Sequence, residues 1–136
     1  MLKVRENQAF TLVEVMIVVG VIALLAAVAI PNLISMKRTA NEAAAKANIR
    51  SIASAAETAS VSLGHYPTTV AELQGFISSA TDYCADLSGG QSAIQGYNYS
   101  CVMDITGYTL AASPVTPGTT GNITYTATTG GILTPL

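Results

Sequence analysis

The chain has little charge, one histidine and no tryptophan. Only 10% of its 136 residues are charged, and all six Lys and Arg lie at or before Arg50. A nucleic-acid surface needs clustered cations that face phosphates, so the acidic C-terminal part argues against nucleic acid as a partner. The sequence also lacks a Ser/His/Asp set, a phosphate-binding loop and an evident pair of catalytic carboxylates. We therefore expect no enzymatic activity, no cofactor and no metal site.

Few side chains remain that could carry chemistry. His65 stands in a Gly-His-Tyr-Pro segment, where a surface turn residue is a better interpretation than a catalytic base. Asp82, Asp86 and Asp104 flank the two cysteines along the chain. They could approach one another and bind Ca²⁺ through their carboxylate oxygens. A solvated acidic loop is the favoured interpretation.

The N-terminal region contains a long apolar run with a single carboxylate near its start. No charged residue occurs from Val15 to Met36, which is enough to span a bilayer as a helix. Lys3 and Arg5 precede the run, which favours a cytoplasmic N-terminus. Glu14 stands at its beginning, although a charge costs about 2.5–3.5 kcal/mol at the centre of a membrane helix. An ionisable residue in such a segment indicates a function and needs a partner.

Three interpretations of this N-terminus are open. A short leader ending at Ala9 could be removed while the apolar helix is retained. A conventional signal peptide could be cut after Ala29, which would release a secreted binding protein. An uncleaved signal anchor is the third. Only the first gives Glu14 a partner, because cleavage creates an ammonium group at Phe10, near Glu14 of the same or a neighbouring subunit. We favour the first.

The stretch FTLVEVMIVVGVIALLAAVAIP, behind a short basic leader, resembles the prepilin signal of the type IV pilin and pseudopilin superfamily. The resemblance implies that a prepilin peptidase cuts between Ala9 and Phe10 and that the new N-terminus at Phe10 is methylated. It also implies that Glu14 sets the axial register between subunits. The family almost always has Gly before the cut, where this chain has Ala9, the next-smallest residue. Pro31 matches the family's kink position, and proline removes a helix hydrogen bond.

Helical composition continues beyond Pro31. Strong helix formers follow, with Glu42 and Lys46 as a favourable i,i+4 pair. Apolar residues then recur on one face until Gly64 ends the helix. The sequence therefore predicts four segments: a leader at 1–9, a transmembrane or filament-core half-helix at 10–34, an amphipathic half-helix at 35–64, and a globular α+β head at 65–136.

The head begins with a short helix and continues as strands. Thr69 and Glu72 match a capping box. Apolar residues then alternate with polar ones in three sets, which begin at Tyr97, Tyr108 and Ile123, with turn residues between them. We expect an antiparallel sheet of three or four strands that needs the helix behind it for stability. The predicted fold class is pilin-like α+β.

Cys84 and Cys101 both follow the apolar run. If this part of the chain is exported, an oxidising compartment would pair them. The closed loop would hold about 18 residues, which is worth about 3 kcal/mol in the chain-entropy model. Two buried free thiols are the alternative.

The resemblance implies a structural subunit of a type IV pilus, used in adhesion, twitching motility or DNA uptake. A type II secretion pseudopilin, which forms a periplasmic pseudopilus, is the alternative. The implied partners are identical or related pilin subunits, the prepilin peptidase, an inner-membrane assembly platform and the lipid bilayer before assembly. The implied location is the bacterial inner membrane, with a single span, and then an extracellular or periplasmic filament.

Overall fold

The structure is a computed structural model that describes residues 10–136, so the predicted leader at 1–9 lies outside the described residues. The chain divides into two units between Ile34 and Ser35, and the long first helix runs through both. The elements are α1 (Leu12–Leu63), α2 (Val70–Gln74), α3 (Ala80–Tyr83), β1 (Ser88–Ile94), β2 (Tyr97–Asp104), β3 (Gly107–Pro114), β4 (Tyr125–Thr128) and β5 (Ile132–Pro135).

Both ends of α1 follow local chemistry. The helix begins at Leu12 rather than at the predicted Phe10, because the Thr11 side chain accepts the N–H of Glu14 at 3.3 Å and so caps the first turn. At the other end Gly64 takes a φ of 79°, which glycine adopts without a Cβ penalty. Its N–H donates to the carbonyl of Ser60 at 3.0 Å. Gly64 therefore ends the helix as the sequence predicts.

The second unit contains an antiparallel sheet with the order β1-β2-β3-β4-β5. It has five strands instead of the predicted three or four. The three alternating sequence patterns fall on β2, β3 and β4, although Ile123, the first residue of the third set, lies before β4. The additional strands, β1 and β5, are the two edges, where few side chains are buried and no apolar alternation is needed.

The core lies between α1 and one face of this sheet. Tyr97 and Tyr99 of β2 are fully buried, together with Ile49 and Ile52 of α1. Leu110 of the adjacent strand is buried on the same face. The hydroxyl of Tyr99 accepts a hydrogen bond from Asn48 Nδ2 of α1 at 3.0 Å, so its polar end also has a partner. Burial against the helix supplies the stability that a thin sheet lacks by itself.

A disulfide joins Cys84, directly after α3, to Cys101 in the middle of β2. The two Cα atoms are 5.4 Å apart, and both residues are buried in the core. The bond fixes the α2–α3 segment to the sheet.

Two carboxylates of α1 bind the C-terminal part of the sheet. Glu42 Oε1 accepts the N–H of Asn122 at 2.8 Å, although the sequence pairs Glu42 with Lys46. Glu57 Oε1 accepts the N–H of Gly130 at 2.7 Å, and its Oε2 accepts the hydroxyl of Tyr66 at 3.0 Å. Burial raises the pKa of the Glu57 carboxyl, but the hydrogen bonds outweigh it and hold the pKa below its ordinary value. These bonds attach the segments on either side of β4 to the helix.

Candidate functional site

The first half of α1 has an apolar surface on every side. α1 is long and apolar enough to cross a membrane, and none of its most apolar 18-residue stretch is buried. Leu12, Leu24 and Val28 each expose more than 70% of their surface. All seven buried residues of α1 lie from Ala45 onward. Because exposed apolar surface on this scale is unfavourable in water, the segment requires lipid or other protein chains around it.

Small residues interrupt this apolar surface. Gly20, Ala23 and Ala27 are spaced by three and four positions, so they share one face of α1. A Cβ added at Gly20 would meet no described atom within 4 Å. Small side chains at helical spacing allow another helix to approach closely. Ala26 and Ala29 lie on other faces of α1, because each residue turns an α-helix by about 100°.

Glu14 has a partner within its own helix. Its Oε2 accepts the N–H of Thr11 at 2.9 Å and the Thr11 hydroxyl at 2.8 Å. Together with the bond from the Glu14 N–H back to the Thr11 hydroxyl, these contacts form a capping box. Oε1 accepts no hydrogen bond from the described residues, which leaves one carboxylate oxygen open to a donor from elsewhere.

Sequence reasoning missed this capping box. Its signal was present, because Thr11-Leu12-Val13-Glu14 has a Thr three residues before a Glu at the start of an apolar run. The same pattern was identified at Thr69, where the Glu72 N–H donates to the Thr69 hydroxyl at 3.2 Å. The cost of a charge in a membrane helix predicts a charged partner for Glu14, whereas its nearest partners in the structure are the N–H and hydroxyl donors of Thr11.

The other predicted site residues have these positions. Phe10 is 83% exposed and precedes α1, and Ala9 lies outside the described residues, so the cleavage and methylation assignments remain predictions. Pro31 lies inside α1, and its kink remains a prediction. Cys84 and Cys101 form the disulfide described above.

Of the residues considered for catalysis or calcium binding, His65, Asp86 and Asp104 have hydrogen-bond partners, whereas the exposed Asp82 carboxylate accepts no hydrogen bond from the described residues. His65 Nδ1 lies 2.8 Å from the carbonyl oxygen of Tyr66. Asp86 accepts the N–H groups of Ser88 and Gly90, and Asp104 accepts the N–H of Thr106, so both carboxylates hold turns. Hydrogen bonds from Gly90 and Ser88 lower the pKa of Asp86, and those from Thr106 lower the pKa of Asp104. Within residues 10–136, no three acidic, His or Cys side chains gather as a metal ion would require.

The family comparison matches the same N-terminal segment. Residues 4–30 fit the family model of the prokaryotic N-terminal methylation motif. This match covers Phe10, Glu14 and the small residues of α1, so the candidate site and the family signature coincide.

The chain is similar to a type II secretion protein and to two type IV pilus proteins. It is 33% identical over 82 residues to the type II secretion system core protein G of Vibrio cholerae, covering 60% of this chain and 56% of that protein. It is 45% identical over 47 residues to the type IV major pilin protein PilA of Myxococcus xanthus, covering 35% and 21%. It is also 50% identical over 38 residues to the type IV wide pilus major component PilA4 of Thermus thermophilus, covering 28% and 29%.

These matches are concentrated on part of each protein. The chain spans about half the length of the secretion relatives it matches, and about a fifth of PilA. No solved structure gives a significant match. The methylation motif, the two sets of relatives and the α+β architecture nevertheless agree with one another. Together they support the superfamily of type IV pilins and type II secretion pseudopilins.

Proposed function

We propose that this protein is a structural, non-catalytic subunit of a type IV pilus. In this proposal the precursor is held in the bacterial inner membrane by the first half of α1. A prepilin peptidase removes residues 1–9, and an inner-membrane assembly platform transfers the subunit into a filament with copies of itself or related pilins. Apolar burial against neighbouring helices then replaces contact with lipid.

One observation carries the proposal. The most apolar 18-residue stretch of α1 has no side chain buried by the described chain, yet the same helix continues into a folded head. A conventional signal peptide cut after Ala29 would discard most of this surface and divide a continuous helix. Retention of the helix makes the exposed surface an interface that other molecules cover.

In this proposal Glu14 sets the axial register between neighbouring subunits of the filament. Its Oε2 is used by Thr11, and its Oε1 is left open to a donor on a neighbouring subunit. The ammonium group created at Phe10 by cleavage is such a donor, and it carries the opposite charge. An ion pair in a low-dielectric helix bundle depends strongly on geometry, so it favours one axial offset between subunits over others.

The pseudopilus of type II secretion is the second candidate. Matches to core protein G extend over 76–82 residues, which is longer than the 47 and 38 residues matched in the two pilins. The disulfide-bonded head is the observation that favours the pilus. Deletion of the gene separates the two: loss of long surface fibres supports the pilus, and loss of secreted enzymes with fibres intact supports the pseudopilus.

The register role is tested by three substitutions that separate charge from capping. Glu14→Gln keeps an oxygen that can accept the Thr11 N–H but removes the charge. Thr11→Ala keeps the charge but removes the hydroxyl of the capping box. Glu14→Ala removes both. We expect Glu14→Gln and Glu14→Ala to reduce sheared filaments by about tenfold or more, because the ion pair is lost in each, while Thr11→Ala retains most assembly.

Membrane insertion and leader removal are measured in the same cells. Insertion should be unchanged in all three variants, and mass spectrometry should give a mature chain that begins at methylated Phe10. Normal filament yield from Glu14→Gln would contradict the charge-based register. A mature chain that begins at Ile30 would refute the filament function altogether.

A further inference from the structure

The helical conformation of the chain stops just short of the predicted cleavage position. Phe10 and Thr11 lie outside α1, which begins at Leu12, and Phe10 is 83% exposed. Among the described residues, the first backbone hydrogen bond at this end runs from the Val15 N–H to the Thr11 carbonyl at 3.3 Å. The residue that follows the Ala9–Phe10 bond is therefore accessible and not helical.

Two N–H groups that would extend the helix across this position are bonded to side chains instead. In a longer helix the Glu14 N–H would donate to the carbonyl of Phe10. The Thr11 N–H would donate to the carbonyl of Asn7. In the structure the Glu14 N–H donates to the Thr11 hydroxyl at 3.3 Å, and the Thr11 N–H donates to Glu14 Oε2 at 2.9 Å. The capping box therefore replaces two hydrogen bonds that an extended helix would form.

No other feature of the sequence stops α1 at this end. Adding a residue to an existing helix gains a hydrogen bond without the cost of starting a new helix. Residues 1–9 contain neither Gly nor Pro, and Ala9 belongs to the residue type with the highest helix propensity. The capping box of Thr11 and Glu14 is therefore the stop signal that the sequence supplies before the Ala9–Phe10 bond.

Hydrolysis by a peptidase requires an accessible bond outside a helix, because proteases cut exposed and locally open segments. We propose that Thr11 is a positioning residue for leader removal: by capping α1 it keeps the Ala9–Phe10 bond out of the helix. Cleavage adds water across this bond and yields a carboxylate on Ala9 and the amine of Phe10. This inference rests on the proposed filament function and adds the conformation in which the precursor is processed.

The test is the rate of leader removal from full-length precursors in cells, followed by pulse labelling. Thr11→Val keeps a β-branched side chain of similar size but loses the hydroxyl. It should slow cleavage about fivefold, which is the factor that corresponds to a lost N-cap. Thr11→Ser should stay within about twofold of wild type, because serine also caps helices. Slower cleavage of Thr11→Val still reaches completion, so its filament yield should remain close to that of wild type.

Thr11→Asn separates capping from direct recognition of the hydroxyl by the peptidase. Asparagine caps a helix at least as well as threonine but has no hydroxyl. Cleavage of Thr11→Asn within about twofold of the wild-type rate supports the positioning role. Equal slowing of Thr11→Asn and Thr11→Val would show that the peptidase recognises the hydroxyl itself, and would overturn the proposal.

A substitution on the other side of the bond tests whether helix extension is the cause. Ala9→Gly disfavours the helix by about as much as the cap does. In an Ala9→Gly precursor, Thr11→Val should therefore slow cleavage by no more than about twofold. In the uncleaved precursor in detergent, the carbon-13 shifts of Phe10 should move towards helical values in Thr11→Val and return in the double variant. The same fivefold loss in both backgrounds, or unchanged shifts, would contradict the proposal.

A matched control removes the same hydroxyl from the interior of α1. The Thr39 hydroxyl donates to the Ser35 carbonyl at 3.2 Å, far from the start of the helix. Thr39→Val should be cleaved within about twofold of the wild-type rate, because this bond does not determine where α1 begins.

Failure of this inference differs from failure of the function on which it rests. A wild-type precursor cut after Ala9, with the same cleavage rate in Thr11→Val, would overturn the positioning role and leave the filament function intact. A wild-type precursor that is never cut after Ala9 would remove the proposed function itself.

Discussion

The two halves of α1 share one backbone conformation but have different surroundings. From Leu12 to Ile34 no side chain is fully buried, whereas seven residues are buried between Ala45 and Ala59. The first half is apolar on all sides, and the second half has one apolar stripe, centred on Ile49, Ile52 and Ala56. Helix formation therefore does not distinguish the halves, because it depends on local hydrogen bonds.

The distribution of apolar residues around the helix decides what covers it. One sheet is enough to cover a single apolar stripe on a helix. The buried faces of β2, β3 and β4 cover the stripe on the second half of α1. A surface that is apolar all round needs partners on all sides, which a chain of this size does not provide from within the described residues. The comparison teaches that one helix can contain both an internal and an external contact surface.

The largest expected difference between the halves comes from one substitution made in each. Ile49→Ala removes a fully buried side chain and should cost about 2–5 kcal/mol in the free energy of unfolding of the second unit. Ile22→Ala removes an exposed one and should cost nearly nothing by the same measure. All six tyrosines lie between Tyr66 and Tyr125, so near-ultraviolet circular dichroism of the full chain in detergent reports that unit alone. Equal losses in the free energy of unfolding from both variants would show that the two halves of α1 do not differ in how their side chains are covered.

Two glycines, one in each unit, should respond differently to substitution by alanine, with smaller effects on stability than Ile49→Ala. A Cβ at Gly121 would overlap the hydroxyl and ring of Tyr97, whose hydroxyl donates to the carbonyl of Ile123 at 2.9 Å. Gly121→Ala should therefore destabilise the second unit by about 1–3 kcal/mol. Gly20→Ala meets no described atom and should favour its helix by up to about 1 kcal/mol.

The denaturant midpoint of the second unit measures how much stability Gly121→Ala loses. The yield of sheared filaments measures whether Gly20→Ala impairs assembly. A lower yield from Gly20→Ala, with the tyrosine signal unchanged, would place Gly20 at a helix–helix contact. Full stability of Gly121→Ala would mean that the Tyr97 ring moves aside at little cost.

The smallest expected effect is a change in how the free energy of unfolding depends on pH, and it comes from Glu57 in the second half of α1. The folded pKa of Glu57 lies below the unfolded value of 4.5, so its stabilisation is present above that pH and is lost as the pH falls through the folded pKa. Glu57→Gln should lower stability at about pH 7 and reduce the loss on going to about pH 3. Tyr66→Phe removes one donor and should give part of the change. Parallel pH profiles of wild type and Glu57→Gln would contradict the assignment.

Much of the fold was predictable because it follows from short-range patterns. The end of α1 at Gly64, the helix after Thr69 and the three central strands each have a local signal in the sequence. The edge strands were missed, because β1 reads SGGQSAI and an edge needs no buried alternation. The capping box at Thr11 was missed although its pattern was present. The binding of Glu42 to Asn122 joins residues 80 positions apart, and no local pattern indicates such a pair.

The sequence by itself determined which part of the chain needs external partners, since an unbroken apolar run has the same requirement in any fold. It also determined the helix ends and the central strands, which depend on neighbours along the chain. Only the tertiary structure decided which carboxylates are occupied and that Cys84 reaches Cys101. Those relations depend on how distant strands are ordered beside α1, and strand order is set by the packing of the whole core.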